Sequence, residues 1–131
     1  MQYNLHSVAD LCSLPLCFYQ VAGAVLYWGR DEAAFLEQYP KGFQVIMGGD
    51  LIYSREVVRP LLHCIDALLA KEDGSVFFMI YVDRAGTGLG SAFLAAASES
   101  PYNFGSSIEQ LEVKVDEADT YLYQLKRKSQ D

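Results

Sequence analysis

The apolar positions change period several times along the chain, and each change predicts an element. Between Tyr3 and Leu14, the residues Leu5, Val8, Leu11, Cys12 and Leu14 return at roughly helical spacing until Pro15 ends the pattern, which predicts a helix. Val21 to Tyr27 is rich in strand formers and stops at Trp28-Gly29; the more polar Asp31 to Tyr39 predicts a short helix before the turn Pro40-Lys41-Gly42. Phe43 to Met47 is apolar without polar alternation, the pattern of a strand covered on both faces, and Gly48-Gly49 closes it. Ser54 then stands at the start of a helix whose Val57, Val58, Leu61, Leu62, Ile65, Leu68 and Leu69 make one apolar stripe, stopped at Asp73-Gly74. Pro60 lacks an amide donor, so it predicts either a kink or a separate first turn followed by a helix that begins near the proline.

Ser75 to Val82 is a second continuous apolar run, so strand, helix and strand follow one another as a βαβ unit. Its strands run parallel with a right-handed crossover, and their C-terminal ends open on the same edge of the sheet. Asp50 and Tyr53 therefore stand at one rim of a crevice of the kind in which open α/β sheets bind ligands. Ser91 to Ser98 predicts a helix, Pro101 to Gly105 a break, and the alternating segments Ile108 to Val115 and Thr120 to Lys126 a hairpin turning at Asp116 to Asp119. The fold class is α/β.

The chain has 131 residues, half of them hydrophobic, with nine Tyr and seven Phe to fill a core. That length matches one domain and is short for a complete α/β enzyme. A net charge of −7 argues against nonspecific attraction to nucleic acid or to anionic membranes, which both require clustered cations. The basic run Lys126-Arg127-Lys128 reads as a solvated terminus. Cys12, Cys17 and Cys64 are odd in number and lie in or near apolar stretches, which fits reduced thiols in the cytoplasm or nucleus; no apolar run is long enough to span a bilayer. His63 and Cys64 are neighbours on the expected helix and point about 100° apart, so they do not share a metal.

Two stretches carry a family likeness. Leu26-Tyr27-Trp28-Gly29 is similar to a strand-ending Leu-x-Trp-Gly, and Phe43 to Tyr53, FQVIMGGDLIY, to a Phe-Asp-x-Ile-x-x-x-Asp-x-x-Tyr run. With the order of elements around them, they resemble the later portion of the seven-stranded, S-adenosylmethionine-dependent methyltransferases, in particular the small non-histone protein-lysine methyltransferases. Gln44 departs from that pattern, which usually has Asp there. The resemblance implies a Rossmann-like, mostly parallel sheet ending in an antiparallel hairpin, with the family's first two strands and its acidic, glycine-rich cofactor loop absent before Tyr3. It implies that Trp28 lies beside the cofactor's adenine, that Gly48 lines the cofactor pocket, and that Asp50 and Tyr53 form the wall where a lysine of a protein substrate meets the methyl group. Methyl transfer needs a neutral amine held in line with the methyl carbon, so acceptors and positioning matter more than a strong base.

Gly86-Thr87-Gly88-Leu89-Gly90 follows a strand and precedes a helix, as a cofactor loop does, but Arg84 occupies the position of that loop's acidic residue. Turn geometry is the ordinary reading; a permuted enzyme using this loop, with Val115-Asp116 ending the next strand, is the other. Two functions follow: a truncated lysine methyltransferase that binds S-adenosylmethionine weakly or not at all by itself, or a non-enzymatic protein-interaction module derived from one. On the family's layout the missing first strand lies beside Phe43 to Met47, so an open edge is expected there, prone to pair with another copy unless the N-terminal segment covers it.

Overall fold

The computed structural model of the chain describes residues 22–84 and 86–128; the helix expected over Tyr3–Leu14, and with it Cys12 and Cys17, lies outside them. The elements are α1 (Glu32–Gln38), β1 (Val45–Gly49), α2 (Val58–Leu68), β2 (Val76–Val82), α3 (Leu89–Ser98), β3 (Phe104–Val115) and β4 (Ala118–Arg127). They make an α/β fold whose four strands lie in the order β1-β2-β4-β3. β1 and β2 pair in parallel, as a βαβ unit requires, whereas β2–β4 and β3–β4 are antiparallel. The described sheet is thus mixed rather than mostly parallel, because the hairpin folds back to insert β4 directly against β2.

Residues 22–27 form no strand. Val25 and Tyr27 favour extended backbone, but among the described residues no neighbouring strand pairs with them, and a lone strand has nothing to satisfy its amides. α1 forms where the short helix was expected. Ser54 is extended and makes no side-chain cap bond; a 3₁₀ turn over Arg55–Val57 leads into α2, and Pro60 falls in that helix's first turn, where its missing N–H leaves no bond unmade.

The stripe on α2 drives the packing. Val58, Leu61, Leu62 and Ile65 are buried against Phe77 and Met79 of β2, Leu125 of β4, and Phe93 and Ala97 of α3. Each fully buried Leu, Ile or Phe contributes about 1.5–3 kcal/mol. Phe93 is fully buried, with its ring parallel to that of Tyr123 at 6.5 Å, and Tyr123 stacks in turn on Tyr81 at 5.3 Å. Because α1 contacts α2 and α2 contacts α3, the helices share one face of the sheet. On the other face Val45 is 54% and Met47 77% exposed, and Ile80 of β2 is exposed beside them. The expectation that the Phe43 strand is covered on both faces therefore fails among the described residues: only its Ile46 and Gly48 side is packed.

The basic run at the end of β4 is not uniformly solvated. Lys126 and Lys128 are exposed, but the Arg127 guanidinium donates to the carbonyls of Asp66 and Leu69 at 2.7 and 2.8 Å and to the Asp66 carboxylate at 2.8 Å. A fixed cation there meets the negative end of α2 and caps carbonyls that have no partner in the helix. The hairpin turn is Asp116-Glu117, both at positive φ, so Ala118 and Asp119 belong to β4 rather than to a longer loop.

Candidate functional site

Parallel pairing of β1 with β2 brings both strand C-termini to one rim. The chain leaves β1 through Asp50, whose backbone N–H donates to the Ile80 carbonyl at 2.9 Å and whose φ of +51° turns the chain sharply. Asp enters this left-handed region at less cost than most residues, because its short side chain bonds locally. The Asp50 carboxylate accepts a hydrogen bond from Arg84 Nη1 at 2.5 Å, with both side chains nearly half exposed. Such an ion pair is worth about 0–1 kcal/mol, so a competing cation displaces it at little cost.

Tyr53, three residues on, is 74% exposed. Asp50 and Tyr53 line one cleft of about 190 Å³ together with Ile52, Tyr81, Val82, Arg84, Thr87 and Leu89. The arrangement offers a carboxylate acceptor, a phenol and apolar walls, and so suits an alkyl chain that ends in an amine or ammonium.

Trp28 and Gly48 do not line this cleft. Trp28 is half-buried against the core, in a turn held by its acidic neighbours. The Tyr27 N–H donates to the Asp31 carboxylate at 2.9 Å and the Gly29 N–H to the Glu32 carboxylate at 2.5 Å, while Arg30 lies 3.9 Å over the Tyr27 ring. The hydrogen bond from Arg30, followed by that from Tyr27 N–H, holds the Asp31 carboxyl below the usual carboxylate range. At Gly48 any Cβ would overlap the side chain of Leu51, which folds back across it. The space beside Gly48 is filled by the protein itself.

Sequence reasoning placed Asp50 and Tyr53 at the rim but missed Arg84, Tyr81, Thr87 and Leu89. The signal for Arg84 was topological: the residues just beyond the ends of two parallel strands are natural neighbours. In the glycine stretch Gly86 and Gly88 have positive φ, and Gly88 supplies the turn that starts α3. Gly90 serves packing instead, since a Cβ there would run into the Tyr123 hydroxyl and the Tyr81 ring.

Small-molecule sites usually occupy about 300–1,000 Å³, so the Asp50 cleft, as the described residues line it, is small for a ligand of the size of S-adenosylmethionine. A larger recess, about 740 Å³, lies at the opposite end of β2 between the Lys71–Ser75 turn and the end of β4, with exposed side chains of both signs around it and no residue of the rim. Among the described residues no group of three His, Cys, Asp or Glu side chains could hold a metal, and no helix is long and apolar enough to cross a membrane. Cys64 is a buried free thiol, pushed up to about 12 by burial and then by the charge of Glu32. Comparison of the chain with models of known protein families and with curated proteins gives no match.

Proposed function

We propose that the chain is a methyltransferase-like domain of the protein-lysine type, in which Asp50 and Tyr53 receive the acceptor side chain of a protein substrate. On this reading β1, β2 and the β3–β4 hairpin are the later strands of a Rossmann-like sheet. The observation that carries it is the convergence of a carboxylate and a phenol on one cleft at the C-terminal mouth of a parallel strand pair. Asp50 accepts an N–H of the incoming amine in place of Arg84, and the rings of Tyr53 and Tyr81 flank the alkyl chain. The cleft, as the described residues line it, is small for the methyl donor, so no transfer step is assigned to them, and the chain alone is poorly active. The same mismatch favours a second reading, a non-enzymatic module that uses the cleft to hold a partner's cationic side chain.

Titration of the full chain with Nα-acetyl-lysine methylamide, followed by amide chemical shifts, tests the site. Shifts at Asp50, Tyr53 and Arg84 are expected, weakened about tenfold in Asp50→Asn, which keeps the left-handed backbone because Asn tolerates it as Asp does. Equal binding by wild type and Asp50→Asn refutes both readings. Calorimetry with S-adenosylmethionine separates the two. Very weak binding, with methyl transfer near background, is expected of a poorly active methyltransferase; strictly no binding and no transfer leaves the module; micromolar affinity overturns the proposed mismatch.

A further inference from the structure

Among the described residues β1 ends the sheet, and its outer side carries none of the features that normally protect an edge. Val45–Gly49 contains no charge, no proline and no bulge, and its Val45 and Met47 side chains are mostly in water. Edge strands of this kind are templates for another strand. Backbone bonding shows which groups are unpaired. The Val76 N–H donates to the Gln44 carbonyl and the Asp50 N–H to the Ile80 carbonyl, so the even-numbered residues of this stretch turn their amides and carbonyls toward β2. By alternation, those of Val45, Met47 and Gly49 point outward, without a strand partner among the described residues.

We propose that this edge pairs with β1 of a second copy of the chain, antiparallel about a two-fold axis at Met47. That register sets Val45 opposite Gly49 of the other copy and Met47 opposite its own equivalent. All three outward-facing residues then fall at hydrogen-bonded positions, giving about six backbone bonds across the seam. Two-fold antiparallel pairing is self-complementary and closes at a dimer. The exposed apolar side chains are the ones it covers, because directly opposed residues lie on the same face with Cβ atoms about 4.5–5.5 Å apart. Charge does not oppose it. The residues flanking the seam are Gln44, a neutral amide, and Asp50 of the other copy, whose carboxylate is already engaged by Arg84. The proposal stands independently of any enzymatic reading.

Light scattering on the full chain is expected to give twice the 14.6 kDa chain mass. Met47→Lys places two ammonium groups opposite each other across the axis and is expected to raise the dimer dissociation constant by about a hundredfold or more. The monomer tolerates it, since Met47 is exposed, and an unchanged far-UV circular dichroism spectrum checks that. In a background with Cys12 and Cys17 changed to Ser, Met47→Cys is expected to give a covalent dimer with dibromobimane, a cross-linker that fluoresces once both arms have reacted. A monomer at every concentration, a dimer that survives Met47→Lys, or a dimer without the Met47→Cys cross-link each overturns the proposal.

Discussion

Arg127→Ala removes a side chain that ties the last turn of α2 to the end of β4. The guanidinium makes two short bonds to main-chain carbonyls, of Asp66 and Leu69, a longer one of 3.4 Å to that of Ala70, and an ion pair with the Asp66 side chain. Its carbon also sits 5.5 Å from the centre of the buried Phe104 ring. A hydrogen bond from a charged donor contributes about 1.5–3 kcal/mol when buried, and stranding its acceptor costs about 1–3 kcal/mol. Leu69 and Ala70 are almost fully buried, so water reaches their carbonyls poorly, whereas the ion pair is partly exposed and adds no more than about 1 kcal/mol. Together these give a loss of about 2–4 kcal/mol, or roughly 8–16 °C in Tm for a chain of this length. Lysine has one ammonium in place of a fork and cannot span both short contacts, so Arg127→Lys should recover less than half of the loss. Urea unfolding followed by circular dichroism, with the exposed Lys126→Ala as a control expected to stay within about 0.5 kcal/mol of wild type, measures all three. An Arg127→Ala variant as stable as the control, or full recovery by lysine, would refute the reasoning.

Gly90→Ala pits a gain in helix propensity of about 1 kcal/mol against the collision with Tyr81 and Tyr123. Both rings are buried and stacked, so overpacking of about 1–3 kcal/mol should win, and thermal melting should show net destabilisation. Alkaline pH should weaken the fold in two overlapping steps. Burial, followed by the Glu32 charge, pushes the Cys64 thiol up from 9.0 to about 12, and burial, followed by Tyr81, pushes the Tyr123 phenol up from 10.0 to about 12. Both groups are neutral when protonated, so the stability they contribute is complete below pH 9 and is lost as the pH rises toward 12. Urea midpoints measured from pH 8 upward should therefore fall, and Cys64→Ala should flatten the earlier part of the decline.

The helix–strand skeleton was legible because its signals are local. The 3.6-residue stripe from Val57 to Leu69 needs no knowledge of its neighbours, nor does the unbroken run from Ser75 to Val82, and they became α2 (Val58–Leu68) and β2 (Val76–Val82). Pro60 left two readings open, a kink or a separate first turn, and the structure takes the second, with Pro60 in the first turn of α2 where its missing N–H is harmless. What failed depended on partners far along the chain. Residues 22–27 have strand-like composition, but a strand exists only when another lies beside it. Met47 reads as a core residue by its neighbours in sequence, yet its exposure is decided by what covers the sheet. At the rim, Asp50 and Tyr53 could be placed from the strand boundary alone, whereas the bond from Arg84 spans 34 residues and leaves no local trace. Arg127 looked like part of a basic tail because its acceptors are carbonyls, which are the same at every position and invisible in a sequence.

The insertion of β4 between β2 and β3 sets the timetable of assembly on the ribosome. The segment that forms β1, α2 and β2 is complete in the nascent chain well before residues 118–127 are synthesised, and helix docking on that parallel pair is local enough to begin early. The inner edge of β2 must then wait, unpaired, for a strand made some forty residues later, and β3 gains its one neighbour among the described strands at the same moment. Pairing of β4 is thus the step that turns two separate pieces into one sheet. Until then the unpaired backbone of β2, flanked by apolar side chains, is an edge open to wrong pairing.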